Sequence, residues 1–225
     1  MTPTYIEKND FIEIKYTGYA NKEIFDTNIE EDLNKLNPDL KPQKTIIVVG
    51  QEMVVHGLDE KLIGREIGKQ YEIIIKPIEA FGERKRELIK TISLKAFTEK
   101  NVSPKPGMVL TLDNFLVKII AVSGARVVTD FNNPLAGKEI SYKFIIVRKL
   151  IDEKEKIESL FKIFFKFIPE FKIKEKIVVK GHTELELFIK TYSQKFREII
   201  GRDLLFEEKK IVSKETTDVN SLNNQ

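Results

Sequence analysis

Short stretches in which apolar and polar residues alternate, each cut off by glycine or proline, occupy most of the first 150 residues. This period of two constrains the fold more than any other feature of the chain. Over 11–16, Ile12, Ile14 and Tyr16 share one face while Glu13 and Lys15 share the other, the pattern of a strand with one buried side. A second strand, 44–49, stops at Gly50, and a third, 70–76, aligns Tyr71, Ile73 and Ile75 before Pro77 ends it. Between them Val55, Leu58 and Leu62 fall three and four apart, which predicts a short helix over 54–63 ahead of Gly64. The polar stretch 27–43, with two prolines, reads as a long loop holding one helical turn.

From residue 88 the strands shorten. Those predicted at 88–94, 108–112, 115–122 and 126–129 are separated by Pro104-Lys105-Pro106-Gly107, Asp113-Asn114 and Ser123-Gly124, all turn-forming combinations. They describe a small β unit of its own, followed by an irregular loop over 130–137 and a last strand over 139–150. Beyond it the period changes. Ile157, Leu160, Phe161, Phe164 and Ile168 recur at helical spacing up to Pro169. A strand over 171–180, a helix over 186–200 closed by Gly201 and a strand over 203–211 follow, and the polar tail 213–225 is expected to be flexible.

Composition removes whole classes of function. The longest apolar runs, such as Ile46–Val49, hold four residues, against the roughly 18 of a membrane span, and no basic head with an apolar stretch opens the chain. No membrane is expected as a partner, and the cytoplasm is the default compartment. With no cysteine and only His56 and His182, disulfides, thiolate chemistry and a histidine-built metal site are excluded. Interleaved charges summing to +3 form no basic stripe, so no nucleic-acid partner is expected, in the C-terminal region included.

Three motifs stand in fixed order before residue 85: Tyr16 followed by Phe25-Asp26, then Gly50-Gln51-Glu52-Met53-Val54-Val55-His56-Gly57-Leu58, then Pro77-Ile78-Glu79-Ala80-Phe81-Gly82-Glu83. Each alone has an ordinary structural reading, as a core tyrosine or a turn. Together the chain resembles the FKBP family of peptidyl-prolyl isomerases. The loop Asn133-Pro134-Leu135-Ala136-Gly137 narrows the likeness to the SlyD-like, long branch, whose isomerase domain carries an insert-in-flap chaperone domain. The region after Leu150 resembles the longer archaeal-type members.

The resemblance implies an α+β fold: an antiparallel sheet wrapped on a short helix, a β-rich inserted domain and a separate α/β C-terminal domain. The expected divisions are 1–85 with 130–151 for the isomerase, 86–129 for the insert, 152–212 for the C-terminal domain and 213–225 for the tail. It also implies an apolar catalytic cleft built from Tyr16, Phe25, Asp26, Val54, Val55, Leu58, Phe81 and Tyr142, bordered by Leu135. Leu58 stands where many relatives have tryptophan, Phe81 where many have tyrosine, and Tyr142 where they have phenylalanine. His56, Glu79 and Glu83 read as surface or turn residues.

The activity so implied is cis-trans isomerisation of X-Pro bonds in unfolded or nascent polypeptides, with no cofactor and no metal. Substrate would be captured on the insert, for which Leu88, Ile89, Phe97, Met108, Phe115 and Leu116 are the candidates; each either faces polypeptide or belongs to the insert's own core. A non-catalytic polypeptide-binding chaperone on the same fold is the alternative. In the C-terminal region Phe161, Phe164, Phe165 and Phe167 exceed one apolar stripe. The excess either joins a second copy of the chain, as a homodimer, or is spent on that region's own core.

Overall fold

The structure, a computed structural model, describes residues 5–209, so the tail expected over 213–225 lies outside the described residues. The chain divides into two units, Met1–Leu150 and Ile151–Gln225.

In the first unit the alternation of Ile12 and Ile14 extends into a ten-residue strand, β1 (Phe11–Ala20). One half of β1 pairs with β2 (Glu23–Thr27) and the other with β3 (Thr45–Val48), so two short strands share one side of a long one. On its other side runs β9 (Ile140–Lys149), followed by β4 (Gln70–Ile75), all antiparallel. One face of this sheet covers α2 (His56–Leu62), whose Leu58 and Leu62 are buried against Ile12, Ile14, Ile75 and Ile140. The stretch predicted as loop holds a two-turn helix, α1 (Glu30–Leu36). It buries only Leu33 and has no side-chain cap, which is why no helical stripe stands out in its sequence.

The insert is a four-stranded antiparallel sheet in the order β5 (Ile89–Ser93), β8 (Arg126–Asp130), β7 (Phe115–Ser123), β6 (Val109–Leu112). Asp113 and Asn114 both take left-handed φ, as a tight hairpin between β6 and β7 requires. A short helix, α3 (Leu94–Thr98), capped by Ser93, lays Phe97 on Ile119 and Val127 to make the small core.

The second unit begins with α4 (Glu153–Phe165), started by the Asp152 carboxylate accepting from the Glu155 N–H at 2.8 Å. The single strand expected over 171–180 is a hairpin of β10 (Glu170–Ile173) and β11 (Ile177–Gly181). β12 (Leu204–Glu208) runs parallel to β11, and α5 (Glu184–Ile200) supplies the crossover that parallel pairing needs. Much of the aromatic surplus of α4 is spent inside this unit. Phe161 and Phe165 are buried among Phe171 and Phe196, and Phe164 stacks on Tyr192 at 4.9 Å. Phe167 is left exposed. No described helix is long and apolar enough to cross a membrane.

Candidate active site

The eight residues expected in the cleft converge on a hollow of about 420 Å³, joined there by Met53. β1 contributes Tyr16, β2 contributes Phe25 and Asp26, and β9 contributes Tyr142. The turn ahead of α2 supplies Val54 and Val55, and α2 itself supplies Leu58 as a fully buried floor. Phe81 follows the helical turn Pro77–Glu79, where the N–H groups of Ala80 and Gly82 both close on the Pro77 carbonyl. Phe25 meets Phe81 edge-on at 5.7 Å and Tyr142 at 5.9 Å, while Tyr16 meets Tyr142 at 6.0 Å. Leu135 is half-buried on the isomerase core instead, and is not among the residues lining the hollow.

Two polar groups reach this apolar space from its rim. The Tyr16 hydroxyl donates to Asp26 Oδ2 at 2.9 Å. Burial raises the Tyr16 phenol well above its ordinary value, and the neighbouring Asp26 charge raises it further. Tyr142 is raised in the same way, first by burial and then by Asp26. Both phenols therefore stay protonated and able to donate. Among the described residues no group of three or more His, Asp or Glu is placed to hold a metal ion. His56 lies exposed on α2 between Glu52 and Glu60.

Two positions that the motifs did not single out shape the cleft. Gly18 pairs with both Asp26 and Tyr142, and the rings close directly over it. A Cβ there would stand 2.8 Å from both Phe25 Cζ and Tyr142 Cε1. Asp59, on α2, is 3% exposed, and its two oxygens accept from the N–H groups of Gly50 at 2.8 Å and Glu52 at 2.7 Å. Both donors have left-handed φ, unusual for Glu52. Asp59 thus ties the turn bearing Met53, Val54 and Val55 to the helix bearing Leu58. Neither was visible in sequence: a strand glycine and a helix carboxylate declare their roles only when their neighbours are known.

The six candidates on the insert separate. Met108, Phe115 and Leu116 are exposed, Phe115 at 62%. Leu88 and Ile89 are half-buried where the insert begins. Phe97 must be withdrawn as a capture residue: at 2% exposure it is the centre of the insert's core, and nothing outside can touch it. Val109 and Ile120, not anticipated, are exposed as well. Ile120 projects from an irregularity in the β7–β8 pairing between Ile119 and Ala121.

Where the insert joins the isomerase, a buried polar clamp holds its two connections together. Asp130 Oδ1 accepts from the backbone and side-chain N–H of Asn132 at 2.9 and 2.7 Å, and Oδ2 from Arg84. Asn132 in turn accepts from the Lys85 N–H and donates to the Lys85 carbonyl. Burial alone would raise the Asp130 carboxyl; the bonds from Asn132 and the Arg84 charge outweigh it and hold the group below its ordinary range.

Comparisons with known proteins agree with this architecture. Residues 2–97 match the family described as FKBP-type peptidyl-prolyl cis-trans isomerase, and residues 90–135 match the FKBP26 IF domain. A short-type peptidyl-prolyl cis-trans isomerase of Methanocaldococcus jannaschii is 31% identical over 140 residues, 61% of this chain and 89% of that protein. The FKBP-type isomerase SlyD of Treponema pallidum is 32% identical over 112 residues, 47% of this chain and 63% of its own length. SlyD of Helicobacter pylori is 26% identical over 147 residues, 63% and 72% respectively. With every cleft residue but Tyr142 inside the first match and most of the β-sheet insert inside the second, the chain belongs to the FKBP-type peptidyl-prolyl cis-trans isomerases and is SlyD-like.

Proposed function

We propose that this isomerase acts on polypeptide that is still folding, with the cleft around Tyr16, Phe25, Asp26, Val54, Val55, Leu58, Phe81 and Tyr142 turning X-Pro bonds and the insert capturing the unfolded chain. The barrier to rotation, about 18–20 kcal/mol, comes from amide resonance. In the twisted transition state that resonance is lost and the carbonyl becomes less dipolar. A hollow walled by four aromatic rings, with Leu58 as its floor, favours this less dipolar state over the planar amide. The Tyr16 hydroxyl and Asp26 orient the rotating carbonyl at the rim; no proton needs to move.

The observation that carries the capture role is the exposed apolar surface of the insert, Met108, Phe115 and Leu116, set on a unit clamped to the isomerase through Asp130. Tethering substrate there raises its concentration at the cleft. The test compares a short X-Pro peptide with a protein whose refolding is limited by proline isomerisation. Replacing 86–129 by a short linker, or making Phe115→Ser with Leu116→Ser, is expected to slow catalysed refolding at least tenfold and to spare the peptide reaction. Unchanged refolding would remove the capture role.

We also infer a homodimer through the C-terminal unit. Phe167, Ile168 and Phe188 line an exposed apolar groove of about 440 Å³ there, a surface suited to a second copy. A monomeric mass by light scattering at tens of micromolar would refute it.

A further inference from the structure

A cleft of about 520 Å³, separate from the aromatic hollow, lies between the insert's sheet and the loop that returns from it. Its apolar surface comes from Val109 and Ile120 on the insert and from Pro134 on the loop. Val109 is 51% exposed and Ile120 is 39% exposed. Its charges are one-sided: among the described residues that line it, Arg84, Lys118 and Lys138 are the cations and Asp130 is the only acid. That acid is already committed, its oxygens taken by Arg84 and Asn132. Lys118 and Lys138 form no ion pair with a described residue. Both line the cleft from different elements, Lys118 on β7 paired with Val109 and Asp130, and Lys138 at the end of the return loop.

An apolar trough lined by two uncompensated ammonium groups is complementary to an extended polypeptide whose apolar residues are flanked by aspartate or glutamate. The same loop carries Leu135, which packs on the isomerase core. A chain seated in this trough is therefore held on the connection between insert and cleft. We propose that this cleft is a selectivity surface, giving the enzyme a preference for clients in which acidic residues flank an apolar stretch. The inference rests on the capture role proposed above and names its substrate class.

The test is fluorescence anisotropy on the full chain with two labelled peptides that share an apolar X-Pro core, one flanked by glutamates and the other by lysines. The glutamate-flanked peptide is expected to bind about threefold to tenfold more tightly at low ionic strength, the sum of two exposed charge contacts. That advantage should vanish at roughly 0.5 M salt and invert in the Lys118→Glu, Lys138→Glu variant, whose fold is checked by its thermal melt. Equal binding of both peptides, or a preference unchanged in the variant, overturns the selectivity and leaves capture standing. Failure of either peptide to bind, together with refolding that does not depend on the insert, overturns both. Peptide displaced as the protein concentration rises would mean that a second copy fills the cleft, which also overturns the proposal.

Discussion

Gly18→Ala isolates the contribution of ring placement in the cleft. The added Cβ would lie 2.8 Å from Phe25 Cζ, 2.8 Å from Tyr142 Cε1 and 2.9 Å from Phe25 Cε1. Carbon atoms rest at about 3.5–4.0 Å, so both rings must retreat by roughly an ångström. Overpacking of this kind costs about 1–3 kcal/mol. If the rings carry that strain, the walls of the hollow open and kcat/KM falls about tenfold to a hundredfold, at ~1.4 kcal/mol per decade. Gly64→Ala is the matched control. Gly64 has φ +77° and no atom within 4 Å of an added Cβ, so the variant loses stability through backbone strain alone, by about 1–2 kcal/mol. Protease-coupled isomerisation of an X-Pro peptide and urea melts would be run on both. The expected result is similar melts and a rate lost only in Gly18→Ala. Wild-type kcat/KM in Gly18→Ala, or equal rate losses in both variants, would refute the reasoning.

Asp59→Ala frees two N–H groups in a turn with left-handed φ; about 2–4 kcal/mol of stability should go. KM should rise more than kcat falls by NMR line-shape analysis, and Asp59→Asn, which keeps one acceptor, should recover part of the loss. Because Tyr16 and Tyr142 are raised above the ordinary phenol value near 10, the rate should stay flat through neutral and alkaline pH up to that value. Above it the unfolded chain holds fewer protons than the folded one, so stability falls as pH rises, and Tyr142→Phe should shallow that fall in thermal melts. Asp130 works in the opposite sense. Its lowered carboxyl contributes stability that is present above the unfolded value near 4 and lost as pH falls through the folded one. Asp130→Asn should flatten the acid limb and increase proteolytic nicking at the insert's connections.

How much of this was legible in the sequence follows from how local each signal is. Strands β1, β4 and β9 and helix α2 announced themselves because one face of each is more buried than the other, which writes a period into the chain, and β3 because a continuous apolar run ends at Gly50. The cleft residues were found through motif order, a record of spacing that survives where periodicity does not. The β10–β11 hairpin was read as one strand because its turn is Lys174-Glu175-Lys176, with no glycine, proline or asparagine to mark it. Met108 and Phe97 looked alike in sequence, since nothing in their immediate neighbours tells a core position of the insert from an exposed one. Only the short helix α3, folded over the insert's sheet, distinguishes the buried one. Lys118 and Lys138 are twenty residues apart, and their shared cleft exists only once the loop returns from the insert.

The strand order of the isomerase sheet also sets a schedule for biosynthesis. β9 lies between β1 and β4 and joins them, yet it is the last strand of its unit to be made. Until it leaves the ribosome, β1 and β4 lack the partner that holds them in one sheet, and Tyr142 is missing from the hollow. The insert, complete by Asp130, has all its strands some twenty residues sooner. A nascent copy of this enzyme therefore exposes the apolar face of its insert, Met108, Phe115 and Leu116, before its own cleft is complete, and its four prolines ahead of the insert, Pro3, Pro38, Pro42 and Pro77, are all made before that cleft exists.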